Sequence, residues 1–135
     1  MSTPGGAPGL DAGTLAFAHR VFDMARGGDA ATLADLLDGG LPVDLTNDKG
    51  DTLLVLAAYH RHLDTVRVLL AHGADTSRAN DRGQTALAAA VFRQDPDLVR
   101  ALLDAGADPA AGSPSALETA RFFDLPAMVE LLESA

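Results

Sequence analysis

Residues 48–80, DKGDTLLVLAAYHRHLDTVRVLLAHGADTSRAN, lie over residues 81–113, DRGQTALAAAVFRQDPDLVRALLDAGADPAAGS, without a gap, and like residue types fall at like positions. A period of about 33 residues is the mark of stacked repeats whose units share one continuous core, and such arrays usually present a surface to something else. The expected function is therefore recognition.

Within each copy the apolar residues recur at helical spacing in two runs separated by a short polar turn. Helices are predicted at roughly 52–60 and 64–71, 85–93 and 96–104, and 115–123 and 126–133. A further pair precedes them. Thr14 can cap a helix carrying Leu15, Phe17, Ala18, Val21, Phe22 and Ala25, which Gly27 and Gly28 end, and Asp29 caps a second one holding Leu33, Leu36 and Leu37. Helices this short are marginal alone in water, so each unit must lay its apolar face on its neighbours. The predicted organisation is a tail at 1–13 followed by one domain at 14–135, with repeats at about 14–47, 48–80, 81–113 and 114–135.

The connectors have their own chemistry. Gly40, Gly73 and Gly106 follow the second helices, where a left-handed residue is wanted. Asp48-Lys49-Gly50 and Asp81-Arg82-Gly83 read as tight turns at the tips of hairpin loops that project to one side. The step from Thr85 to Ser115 is three residues shorter than the repeat, so the last hairpin is expected to be cut down.

At these residues the chain resembles an ankyrin-repeat protein. Thr52-Leu53-Leu54-Val55-Leu56-Ala57 stands where that family has T-P-L-H-x-A, and Val66-Arg67-Val68-Leu69-Leu70-Ala71-His72-Gly73-Ala74-Asp75 matches the end of its unit. Residues 85–90 and 99–108 repeat the match, and weaker copies before and after make four repeats with the outer two as caps. The resemblance implies an all-α, helix-turn-helix repeat solenoid with short hairpin loops. The family's Pro is replaced by Leu53, Ala86 and Ala116, and its His by Val55, Ala88 and Glu118. The family's side-chain hydrogen bonds between neighbouring units are therefore expected to be missing, with cohesion coming mainly from Leu, Val and Ala packing in a stack of modest stability. Arg61 and Gln94 occupy a turn where the family prefers Gly, at a cost of about 1 kcal/mol each if left-handed.

By the same resemblance the partner-binding positions are the hairpin tips and the exposed ends of the first helices: Asp48, Lys49, Asp51, Tyr59 and His60 in one unit, Asp81, Arg82, Gln84, Phe92 and Arg93 in the next. Stepping through equivalent places gives the register Arg26, Tyr59, Phe92 and Phe122, which holds three of the six aromatic residues of the chain. These rings either line a concave groove, in the composition of binding hot spots, or close gaps between neighbouring helices. Exposure of Tyr59 and Phe92 distinguishes the two.

The 135-residue chain allows one domain with an adequate core. The absence of cysteine removes disulfides, thiolate metal sites and cysteine nucleophiles. Its net charge of −9 disfavours nucleic acid and anionic lipid as partners, since both call for clustered Lys and Arg. The charge sums to −4 over residues 1–47, 0 over 48–80, −2 over 81–113 and −3 over 114–135, so the acidity belongs to the end units. The tips and first-helix ends come out mixed or faintly basic, and a partner with acidic and apolar groups fits them at least as well as a basic one. Neither a secretory leader nor an apolar run of the ~20 residues needed to span a bilayer is visible, so a cytoplasmic protein is expected, and the charge at both ends favours a monomer.

No cofactor, metal or catalytic residue is assigned. His60 and His62 are two apart, which on a helix sets them on nearly opposite faces, where a metal pair wants three or four. His62 falls where the family's histidine bonds the turn backbone, and His19 and His72 are expected at the surface. Asp95 and Asp97 flank Pro96 at a helix start, which is capping chemistry. The alternative to a protein-binding module is a small-molecule-binding or unusual enzymatic site between the first helices, marked by a closed pocket and a shifted titration near His60 or His62.

Overall fold

The computed structural model describes residues 12–134. Eight helices are present among them: α1 (Ala12–Gly27), α2 (Ala30–Asp38), α3 (Leu53–Tyr59), α4 (Leu63–Ala71), α5 (Ala86–Phe92), α6 (Pro96–Asp104), α7 (Ala116–Phe122) and α8 (Pro126–Glu133). The odd-numbered helices pack side by side in one layer and the even-numbered ones in a second, with each pair joined across the layers. This is the expected all-α repeat solenoid. Helix α1 starts at Ala12, inside the segment expected to be a tail; residues 1–11 of that segment lie outside the described residues.

Except at their last residues, Tyr59 and Phe92, helices α3 and α5 are buried all round. Leu53 through Ala58 and Ala86 through Val91 are each nearly inaccessible, because α5 is flanked by α3, α6 and α7, and α3 by α1, α4 and α5. A helix enclosed in this way cannot be amphipathic, which explains its unbroken apolar run. The alanines of α5 suit its central place, since small side chains let neighbouring helices approach on both sides. Leu33, Leu69, Leu98 and Leu102 complete the core from the second helices. Truncating one such leucine to alanine typically costs about 2–5 kcal/mol.

The starts of α3, α5 and α7 are each capped by a hydroxyl, while Thr14, expected to cap the first helix, lies inside α1. Thr52 accepts from the N–H of Val55 (3.0 Å), Thr85 from that of Ala88 (3.2 Å) and Ser115 from that of Glu118 (3.1 Å). In the last unit the Glu118 carboxylate also accepts the Ser115 N–H at 2.8 Å, completing a capping box with the residue that replaces the family's His. Asp29 and Asp95 cap α2 and α6 through Thr32 and Leu98.

At the helix ends, the Ala74 N–H reaches the Leu69 carbonyl and the Gly73 N–H that of Leu70, closing the paired bonds of a Schellman turn around the left-handed Gly73 (φ 83°). The first helices end in the same way, but α3, α5 and α7 do so around Arg61 (φ 64°), Gln94 (φ 55°) and Asp124 (φ 54°). Asp124 extends the strained set beyond the two residues expected.

Side chains outside the family's Thr-Pro-Leu-His positions link the units. His62 donates to the Arg26 carbonyl at 2.7 Å, His72 to Asp38 at 2.8 Å, and the Asp75 N–H to Asp44 at 2.9 Å, each crossing from one unit to another, and Asn80 donates to Asp51 at 2.8 Å from one hairpin to the one before it. The Thr-Pro-Leu-His positions are lost as a source of such bonds, and hairpin and second-helix residues replace them. His72, expected at the surface, is half-buried and ties α4 to α2.

Candidate functional site: the hairpin and first-helix groove

Two hairpins frame the site, each braced from within by an asparagine. The Asn47 carbonyl oxygen Oδ1 accepts from the N–H groups of Lys49 and Asp51, both at 2.9 Å, and Asn80 does the same for Arg82 and Gln84, both at 3.0 Å. Gly50 and Gly83 take positive φ at the tips. A Cβ on Gly50 would meet the Asp81 carboxylate at 2.5 Å, so the turn needs glycine both for its conformation and for the approach of the next tip. The Asp81 N–H bonds to the Lys49 carbonyl at 3.0 Å, and the Ser113 N–H to that of Gly83 at 2.9 Å. The tips thus form one hydrogen-bonded row. The third, shortened connection folds back between Gly112 and Ser115.

Between the row of tips and the ends of α1 and α3 lies a groove of about 420 Å³, lined by Arg26, Asn47, Asp48, Lys49, Asp51, Val55, Leu56, Tyr59, His60, Arg82 and Gln84. Eight of the twelve expected partner-binding residues meet here. Arg26, Asp48, Lys49, His60 and Arg82 are exposed, while Tyr59 and Gln84 are half-buried. Asp51 corrects the expectation, because its side chain turns inward: Asp51 is 8% exposed and accepts from Asn80 at 2.8 Å and Asn47 at 3.4 Å. It is a structural tie between hairpins. Its distance from the repeat's turn glycine is the same as that of half-buried Gln84, so period alone does not reveal the different orientation.

The remaining residues extend the site toward the C-terminal end. Phe92 lies stacked on Tyr59, with ring centres 6.3 Å apart and planes 10° from parallel, and the Arg93 guanidinium sits over the Tyr59 ring at 5.2 Å. Asp81 is exposed at the second tip. Phe122 was placed directly after Phe92 by the register, but Phe123 takes that contact, edge to face at 5.4 Å, and Phe122 packs edge-on against Phe123 at 4.9 Å. In α5 and α7 the residue capping the helix leans on the last residue of the previous first helix, as Arg93 does on Tyr59 and Phe123 on Phe92. Phe92 is 41% exposed, Phe123 50% and Phe122 82%. The rings therefore contact one another across units and still face solvent, and Tyr59 is the one of the four that lines the groove.

His60 and His62 part company, but not through helical spacing: His60 ends α3 and His62 precedes α4, on either side of the left-handed Arg61. His60 is exposed and edge-on to Tyr59 at 5.3 Å, and burial, helped by the nearby His62, Arg26 and Arg93 charges, lowers its pKa from the ordinary value of 6.5. His62 is committed to structure: its Nε2–H donates to the Arg26 carbonyl, and its ring lies so close to Gly28 that a Cβ there would meet Nδ1 at 2.6 Å. Among the described residues no group of three or more His, Asp or Glu side chains is arranged to hold a metal ion. Nor is any described helix long and apolar enough to cross a membrane.

Comparison with known proteins agrees with this geometry. The family model for ankyrin repeats, with three copies, matches residues 21–112, and the fourth helix pair, α7 and α8, lies beyond it. An ankyrin repeat protein of Pseudomonas aeruginosa is 54% identical over 61 residues, which cover 45% of this chain and 36% of that protein. Ankyrin repeat domain-containing protein 29 of Homo sapiens is 46% identical over 59 residues, 43% of this chain and 20% of its own length. The matched stretch thus spans about a third of the bacterial relative and a fifth of the human one. A framework of stacked helix pairs, Schellman turns and linked hairpins, matched over most of its length by that family model, shows that the chain belongs to the ankyrin-repeat family.

Proposed function

We propose that this chain is a protein-binding module whose partner lies across the hairpin tips and the ends of the first helices. Repeats of this family generally serve protein–protein interaction. The observation that carries the reading for this chain is the row Tyr59, Phe92, Phe123 and Phe122, in which aromatic rings are held by one another and remain open to solvent. Rings fixed before binding lose little entropy on contact, and with Arg26 and Arg93 beside them they have the composition of an interface centre. The partner-binding set is Arg26, Asp48, Lys49, Tyr59, His60, Asp81, Arg82, Gln84, Phe92, Arg93 and Phe122, with Phe123 added and Asp51 removed.

A reaction is not part of this proposal. His60 carries the shifted titration that would mark a small-molecule or enzymatic site, but the groove it lines is not closed, being walled by exposed Arg26, Asp48, Lys49 and Arg82. The space between α3 and α5 is filled by their own buried side chains, which also speaks against such a site. A monomer in the cytoplasm belongs to the same proposal, with the charge of the end units opposing end-to-end association; sedimentation giving a dimer at micromolar concentration would reverse the monomer assignment. The test of function is capture of the partner from native lysate by the wild-type protein and by the Tyr59→Ala, Phe92→Ala double variant. The expected result is loss of the partner with helical circular dichroism retained, and equal capture would remove the groove from the account.

A further inference from the structure

The groove collects positive charge in a protein whose net charge is −9. Arg26, Lys49 and Arg82 line it, and Arg93 joins them over the Tyr59 ring. Arg26 is paired with Asp23 at 2.8 Å. Lys49, Arg82 and Arg93 have no carboxylate within ion-pair reach among the described residues, although four further ion pairs form elsewhere. The carboxylate that sequence position would set against them, Asp51, is turned away and satisfied by Asn80 and Asn47. Asp81 lies against Gly50 at the neighbouring tip, leaving exposed Asp48 as the acidic side chain on the groove wall.

Unpaired guanidinium and ammonium groups at the mouth of a groove favour an anionic ligand, because each keeps its full donor capacity for the partner. The lowered pKa of His60, for which the Arg26 and Arg93 charges are part of the cause, is a separate sign of positive potential here. Directly beyond Arg93 the surface changes character: Phe92, Phe123 and Phe122 follow without an intervening charge in the row. The two halves are continuous through the Tyr59 and Phe92 stack.

We infer that the partner supplies one peptide segment of two parts, carboxylate side chains set against Lys49, Arg82 and Arg93, and apolar side chains next to them set against Phe92, Phe123 and Phe122. This rests on the groove being the binding surface. A nucleic acid is the less favoured polyanion, since its charge continues past the cationic patch toward the acidic end units, whereas a peptide can end its charge where the aromatic row begins.

Selection of a phage-displayed random dodecapeptide library on the immobilised protein tests the inference. Enriched peptides are expected to carry adjoining acidic and apolar blocks, and to bind roughly threefold to tenfold more weakly to the Lys49→Gln, Arg82→Gln double variant, by fluorescence anisotropy. Both side chains are exposed and make no bond within the fold, so this variant keeps its structure. Peptides that need Phe92 but show no acidic block, or bind the double variant equally, overturn the inference and leave the groove reading standing. Enrichment that ignores Phe92→Ala as well, or no enrichment, overturns both. Displacement of the peptides by an oligothymidylate at the same ionic strength would assign the patch to nucleic acid and overturn the peptide.

Discussion

Asp51 and Asn80, on consecutive hairpins and both buried, share a hydrogen bond of 2.8 Å from the Asn80 amide to the Asp51 carboxylate. The same Asn80 braces its own turn through Oδ1, so one side chain fixes the shape of the second hairpin and its distance from the first. Asp51→Ala removes the acceptor and leaves a buried amide unsatisfied. The expected loss is about 2–3 kcal/mol, read as a lower urea midpoint, with Asp51→Asn losing less because one acceptor oxygen remains.

His72 gives the stack a pH dependence with a defined sign. Its Nδ1 faces the Val68 carbonyl at 2.9 Å and its Nε2 the Asp38 carboxylate at 2.8 Å, so both nitrogens must carry protons to satisfy both bonds. The Val68 carbonyl first, and then Asp38, raise its pKa above the ordinary 6.5. A raised folded-state pKa contributes stability in full below the unfolded value and loses it as pH rises through the folded value. His60 has the opposite sign: its lowered pKa costs stability as pH falls below 6.5. Denaturation of His72→Gln against wild type from pH 5 to 9 is expected to show a difference largest at the acid end and vanishing at the alkaline end.

Thr65 is fully buried in α4, and its hydroxyl has no hydrogen-bond partner among the described residues. Thr65→Val keeps the shape and removes the unsatisfied oxygen. It is expected to raise stability by about 1 kcal/mol, measured by chemical denaturation with an unchanged m-value.

Gln94 holds a left-handed conformation, φ 55°, after α5. It makes no side-chain bond that glycine would lose, in contrast to Arg61, which reaches Asp95 at 3.3 Å. Gln94→Gly is expected to stabilise by roughly 1 kcal/mol, the cost of placing a Cβ in this region. A thermal melt without an upward shift would show that the strain is relieved elsewhere.

The parts of this fold that depend on residue type at a fixed spacing were legible in the sequence. Thr52, Thr85 and Ser115 cap, Gly40, Gly73 and Gly106 turn left-handed, and the helix pairs follow, because these are local consequences of hydroxyls, missing Cβ atoms and apolar period. Orientation within a hairpin was not legible. Asp51 and Gln84 occupy equivalent places, yet Asp51 turns inward because the next hairpin brings Asn80 to it. Phe123 was missed for a related reason, since the register compared equivalent residues, while the contact is made by the capping residue one place on. Asp124 shows the same limit: its left-handed backbone follows from closing a Schellman turn after α7, which the other short first helices had already displayed.

The central claim is that the partner touches the aromatic row. The most direct measurement places a photoreactive benzophenone at Phe92, and in a second protein at exposed Arg67 on α4 in the other helix layer, and compares crosslinking to the captured partner. Crosslinks from position 92 and none from 67 are the predicted result; crosslinks from 67 with position 92 silent would contradict it.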